Sequence, residues 1–183
     1  RGLVPNALWW FRWGAMFTFL SGWTIVLYRF GHLGVPLTDG YMTKVLTGGI
    51  MGTHMWYNVW FVIWPAQQVV IANAEQVAAG GDPIPEAAAR GGKAGMASRT
   101  NTLFSIPMLF FMISAANLPG FLSGTNDMVY WIVAGLIIVA VEINGLIGPG
   151  AATQKPLTTV SGTIHGGLAL WLVLVIAGYA LNS

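Results

Sequence analysis

Residues 129–147 read VYWIVAGLIIVAVEINGLI, and residues 160–181 read VSGTIHGGLALWLVLVIAGYAL. Spanning the hydrocarbon of a bilayer takes about 20 predominantly apolar residues in a helix. Both runs are long enough, and the first holds a single charged side chain, Glu142. Three further stretches extend the pattern towards the N-terminus: residues 8–30, rich in Trp and Phe; residues 45–72; and residues 103–122, interrupted by Pro107 and Pro119. Composition agrees. Apolar residues make up 55% of the chain and charged ones 8%, and the mean hydropathy is +0.66. A soluble domain is about 25% charged, so too few charges are present to coat a water-facing globule. The sequence predicts an all-α fold: a polytopic membrane helix bundle of about five transmembrane helices, forming one transmembrane domain over residues 1–183.

The connections are rich in Gly and Pro, as chain-reversing segments are. The longest, residues 73–102, carries Glu75, Asp82, Glu86, Arg90, Lys93 and Arg99, with room for a short surface helix near Pro85. Lys and Arg bias sets orientation. Arg1, Arg12, Arg90, Lys93, Arg99 and Lys155 fall on one side, and Arg29 and Lys44 on the other. That places the N-terminus and the long loop in the cytoplasm of a bacterial cell, with the bundle in its inner membrane. No cleavable signal sequence is legible. A net charge of +2 with scattered bases argues against nucleic-acid binding. The absence of cysteine excludes disulfides, thiolate metal sites, Fe–S clusters and covalently attached haem.

Ionisable side chains inside apolar spans are costly and point to function. His32 lies in a Gly-flanked turn and reads as a solvated loop residue, but His54 and His165 lie within spans. The two helices run in opposite directions, so the imidazoles reach similar depths. Gly48, Gly49 and Gly52 precede His54; Gly162, Gly166 and Gly167 surround His165. Two imidazoles from facing helices can ligate haem b in a bundle core, with Gly52, Gly162 and Gly166 giving the macrocycle clearance. Another tetrapyrrole pigment would need one imidazole. Equally, the same glycines form small-xxx-small patterns for close helix packing, with the histidines bonding across the interface.

Asn58 lies one turn beyond His54 and shares its face, which makes it a candidate to orient a ligand. Trp56, Trp60 and Trp64 occupy roughly the opposite face, suited to lipid or a partner subunit. Glu142 and Arg12 both lie about one turn in from the cytoplasmic ends of their helices, and a buried carboxylate needs a partner; a structural Arg12–Glu142 ion pair is expected, with a quinone-side or proton-transfer role for Glu142 as the alternative. Hydrolase, zinc-protease and P-loop signatures are absent.

Several segments resemble a known family. Val4-Pro5, then Leu8-Trp9-Trp10-Phe11-Arg12-Trp13 and Leu20-Ser21-Gly22, resemble the second membrane helix of the PuuD-type bacterial urate hydroxylases. Asn58-Val59-Trp60-Phe61-Val62-Ile63-Trp64-Pro65-Ala66-Gln67 resembles that family's Asn-Val-x-Phe-x-Ile-x-Pro-x-Gln stretch. Ser98-Arg99-Thr100-Asn101, leading into Ile106-Pro107-Met108-Leu109-Phe110, resembles its Ser-Arg-His-Asn segment and the helix after it, with Thr100 in place of the histidine. The resemblance implies a multi-helix membrane domain linked to urate oxidation, with electrons passed to the respiratory chain. Without Cys-x-x-Cys-His, the chain carries no cytochrome c of its own.

Three functions follow as expectations. The first is a haem b-binding subunit, with His54 and His165 as axial ligands, relaying electrons within a larger redox complex. The second is a cofactor-free scaffold of a photosynthetic, respiratory or oxygenase complex, and the third is the urate hydroxylase membrane domain itself. The expected partners are other integral membrane subunits, lipid, and a cytochrome c or quinone.

Overall fold

The computed structural model describes residues 3–123, 127–147 and 150–181. Six α-helices account for most of them: α1 (Leu3–Gly31), α2 (Gly40–Tyr57), α3 (Trp64–Ala78), α4 (Ala87–Asn117), α5 (Asp127–Leu146) and α6 (Val160–Leu181). A π-helical turn, Asn58–Ile63, joins α2 to α3 without a break, and a 3-10 segment, Ala152–Thr158, precedes α6. The fold is all-helical.

Local chemistry sets the boundaries. Asp39 caps α2, its Oδ2 accepting from the backbone N–H groups of Tyr41 (2.9 Å) and Met42 (3.4 Å). The far end of α4 is closed by a side chain from α2. Lys44 Nζ donates to the carbonyls of Leu118 (2.7 Å) and Phe121 (2.9 Å), which lie at or beyond the last turn of α4. Pro65 explains the π turn. A proline in a helix has no N–H to give and crowds the carbonyl four residues back, here Phe61. Widening the preceding turn accommodates both, and Trp64 N–H bonds to Val59 O instead.

α4 is the hub: α2, α3, α5 and α6 all pack against it. Two glycines allow the closest approaches. A Cβ at Gly167 of α6 would stand 2.8 Å from Leu103 O of α4, and that carbonyl lacks its helical partner because Pro107 has no N–H. A Cβ at Gly145 of α5 would collide with Thr100. The main core joins Met51, Phe104, Phe111, Tyr130, Ile138 and Leu174. α1 contributes to a smaller cluster, through Val26 against Met42 and Leu46; it packs on α2, the π turn and α3 but is not a packed neighbour of α4 or α5.

Polarity is distributed inside out. Lys44, Asn58, Thr100, Glu142, Gln154 and Thr163 are buried, whereas Trp10, Phe11, Phe17, Leu136, Ile147 and Tyr179 are exposed.

The helices coincide with the expected stretches, with two differences. Among the described residues, only α5 and α6 are long and apolar enough to cross a membrane by length and composition, each with hydropathy 2.0. Charged and small polar residues dilute the others: α4 begins early enough to include Arg90, Lys93 and Arg99. The connection expected over residues 73–102 is correspondingly shorter. α3 runs on to Ala78 and α4 starts at Ala87, so the short surface helix expected near Pro85 is instead the first turn of the long α4.

Candidate functional site

Three polar side chains meet where the π turn, α4 and α5 come together. Asn58, fully buried at the start of the π turn, donates through Nδ2 to Asn101 Oδ1 of α4 (2.9 Å) and to Glu142 Oε2 of α5 (3.2 Å). Asn101 in turn donates to Met55 O (3.1 Å). Two acceptors in this cluster, Asn58 Oδ1 and Glu142 Oε1, are buried without a hydrogen-bond partner. His54 lies one turn before Asn58 on the same face. The His54 ring packs by Phe104 of α4, with centroids 6.2 Å apart, and its Nδ1–H donates to Ile50 O (2.9 Å). That bond fixes the tautomer and leaves Nε2 as the acceptor when the ring is neutral. The centre is thus a carboxylate with one free oxygen, held by an amide pair, with an imidazole one helical turn from the amide. Such a group can take up and release a proton.

His165 lies elsewhere. It is exposed on α6, with Nδ1–H donating to Ser161 O (2.7 Å). α2 and α6 are not packed neighbours, because α4 stands between them. Of the glycines expected to clear space for a macrocycle, Gly162 and Gly166 are packed tightly against protein, and Gly52 borders open space on the side of α1. A Cβ at Gly166 would meet Leu103 at 3.0 Å, one at Gly52 would meet Met108 Sδ at 3.6 Å, and one at Gly162 would collide with Pro156 O. Gly162 and Gly166 serve helix packing, and they do not fit a porphyrin held between His54 and His165. Among the described residues, no group of three or more His, Asp or Glu side chains gathers as a metal site.

The expected Arg12–Glu142 pair is also not formed. α1 and α5 are not packed neighbours. Arg12 lies over the rings of Trp60 (4.7 Å) and Trp64 (4.1 Å) in a cation–π arrangement, with its Nε buried and unbonded. The Trp face of α2 and the π turn therefore meets α1. Trp56 stacks on Phe19 with centroids 4.2 Å apart, and Trp60 meets Trp13 edge-on at 5.5 Å. Glu142 instead pairs with Asn58. Asn101 was not singled out from the sequence as a site residue; the available signal was an amide opening the apolar half of α4, inside the segment Ser98-Arg99-Thr100-Asn101.

A family model described as urate oxidase N-terminal matches residues 35–174. The chain belongs to the urate oxidase N-terminal family. The matched residues run from the turn before α2 well into α6, so they contain His54, Asn58, Asn101 and Glu142 and leave α1 and Arg12 outside. The polar centre is thus built entirely from the part shared with the urate oxidase N-terminal family. No curated protein and no solved structure matches the chain.

Proposed function

We propose that the chain is the membrane-embedded domain of a urate-oxidising hydroxylase and that its Glu142–Asn58–Asn101 centre handles the protons of that reaction. The observation that carries this reading is the Glu142 carboxylate: buried, with one oxygen unbonded, within the matched residues. Hydroxylating urate with oxygen from water releases protons together with electrons. A carboxylate partnered by an amide is suited to accept one of those protons and pass it on, and the electrons go to a respiratory acceptor such as a quinone or cytochrome c. The inside-out distribution of polarity supports a bilayer location, since a lipid surface would cover the exposed Trp, Phe, Leu and Ile side chains. The bias of Lys and Arg supports an inner-membrane orientation with the N-terminus in the cytoplasm.

The test is urate-dependent reduction of cytochrome c by membranes bearing the chain with its partner subunits. Glu142→Gln keeps the size and the acceptor to Asn58 but cannot hold a proton reversibly. It should lower turnover by about a hundredfold while leaving protein level and helical content unchanged. Wild-type membranes without urate turnover would reject the reading.

One observation favours a second reading, a scaffold subunit of a larger membrane complex: His165 is exposed among apolar residues of α6, where an intramembrane imidazole calls for a partner. On that reading His165→Leu lowers assembly yield, and Glu142→Gln leaves turnover unchanged.

A further inference from the structure

Asn101 also lines an open space that does not include Glu142. It is a cleft of about 870 Å³ with α2 as its floor and α1 and α4 as its walls. Ligand pockets generally fall between about 300 and 1,000 Å³. We propose that this cleft binds a lipid-soluble quinone, a flat ring bearing carbonyl acceptors on a long apolar tail.

Its shape favours a planar group. Gly14 and Gly22 on the α1 wall and Gly49 on the floor have open space where a Cβ would stand. Two indoles border this slot in fixed positions. Trp23 Nε1–H donates to Thr53 Oγ1 (3.1 Å), and Trp56 is stacked on Phe19. Aromatic faces beside a glycine-floored slot suit an offset-stacked ring.

The polarity favours a carbonyl-bearing ring over a simple acyl chain. Ser98, Asn101, Thr102 and Ser105 recur along the α4 wall at helical spacing. Thr102 and Ser105 spend their hydroxyl hydrogens on backbone carbonyls of α4. Asn101 gives one amide hydrogen to Met55 O and keeps a second for an acceptor in the cleft. The same side chain accepts from Asn58, which holds Glu142. One amide therefore joins the cleft to the buried carboxylate. A bound helix is a poorer occupant: it is about 10 Å across, wider than a slot for a flat ring, and would leave the hydroxyl row facing apolar side chains.

Binding requires only the membrane location. The electron step rests on the proposed urate oxidation, which supplies an electron pair. The quinone takes that pair and one proton on each ring oxygen to become the quinol, the two protons being those that the hydroxylation releases.

The experiment uses the purified chain in phosphatidylcholine nanodiscs and reads tryptophan quenching by decylubiquinone. Saturable quenching is expected, weakened at least tenfold by Gly49→Leu or Ser105→Leu, which fill the slot from its floor or its wall. Gly135→Leu on α5, also unobstructed but outside the cleft, should bind as wild type; helical content is checked for each variant. Quenching that never saturates, or that is equal in all variants, would overturn the site. So would displacement of the quinone by decanol at equal concentration, which marks an acyl-chain site. Urate turnover is measured in parallel in membranes that carry the chain with its partner subunits. Saturable binding without turnover keeps the cleft and rejects the reaction; turnover without saturable binding keeps the reaction and rejects the cleft.

Discussion

Asn58 spends both hydrogens of its amide nitrogen inside the protein, one on Asn101 and one on Glu142. Replacing it with Ala removes both donors and leaves the buried Glu142 Oε2 and the part-buried Asn101 Oδ1 without them. Each such group costs about 1–3 kcal/mol, so Asn58→Ala should lower the thermal midpoint in detergent clearly, as followed by circular dichroism. An unchanged midpoint would mean the amide pair contributes nothing to the fold. The inward placement of Asn58 follows from its spacing with His54. Its partners do not. Arg12 and Glu142 looked complementary because sequence gives depth along each helix, but depth says nothing about which helices are neighbours. Arg12 settled on indole faces and Glu142 on an amide, each a local solution to the burial of a charged group.

At the scale of elements, the π turn keeps the Trp ladder in line. In an ideal α-helix, residues four apart drift by about 40° around the axis. Looser winding over Asn58–Ile63 reduces that drift, and Trp60 and Trp64 both stay under Arg12. Pro65 was visible in the sequence, but its consequence depends on whether a helix breaks, kinks or widens, which packing decides. The α4–α6 seam is governed by another proline. With Leu103 O freed by Pro107, Gly167 brings its Cα hydrogens against that carbonyl, a weak C–H···O contact. Gly167→Val would drive side-chain atoms into backbone that cannot yield, at a cost of about 1–3 kcal/mol or more. The expected result is a lowered thermal midpoint with α6 exchanging its amide hydrogens faster than α2. A wild-type exchange profile would show the seam to be looser than described.

Across the whole molecule, the helical class and the rough position of the apolar helices were legible in the apolar runs, because hydrophobic length is a property of contiguous sequence. The neighbour relations were not: α4, the least apolar-looking stretch, is the hub, and its charged first half reads as a loop until α3 is seen packed along it. The main core contains no residue of α1, and the family match begins at residue 35. Removal of residues 1–34 should therefore leave α2–α6 folded in detergent, with a lower midpoint from the loss of the Arg12 and Phe19 contacts on the Trp face. Complete loss of helical signal would place α1 within the cooperative core.

The missing seam between α1 and α4 leaves one long side of the cleft unsealed. In a bilayer that side opens sideways onto acyl chains. A guest would enter by diffusing in the plane of the membrane and would never need to shed a coat of bulk water at the doorway. Occupancy would then track how much guest the lipid holds, and a dose reckoned per volume of buffer would misstate it.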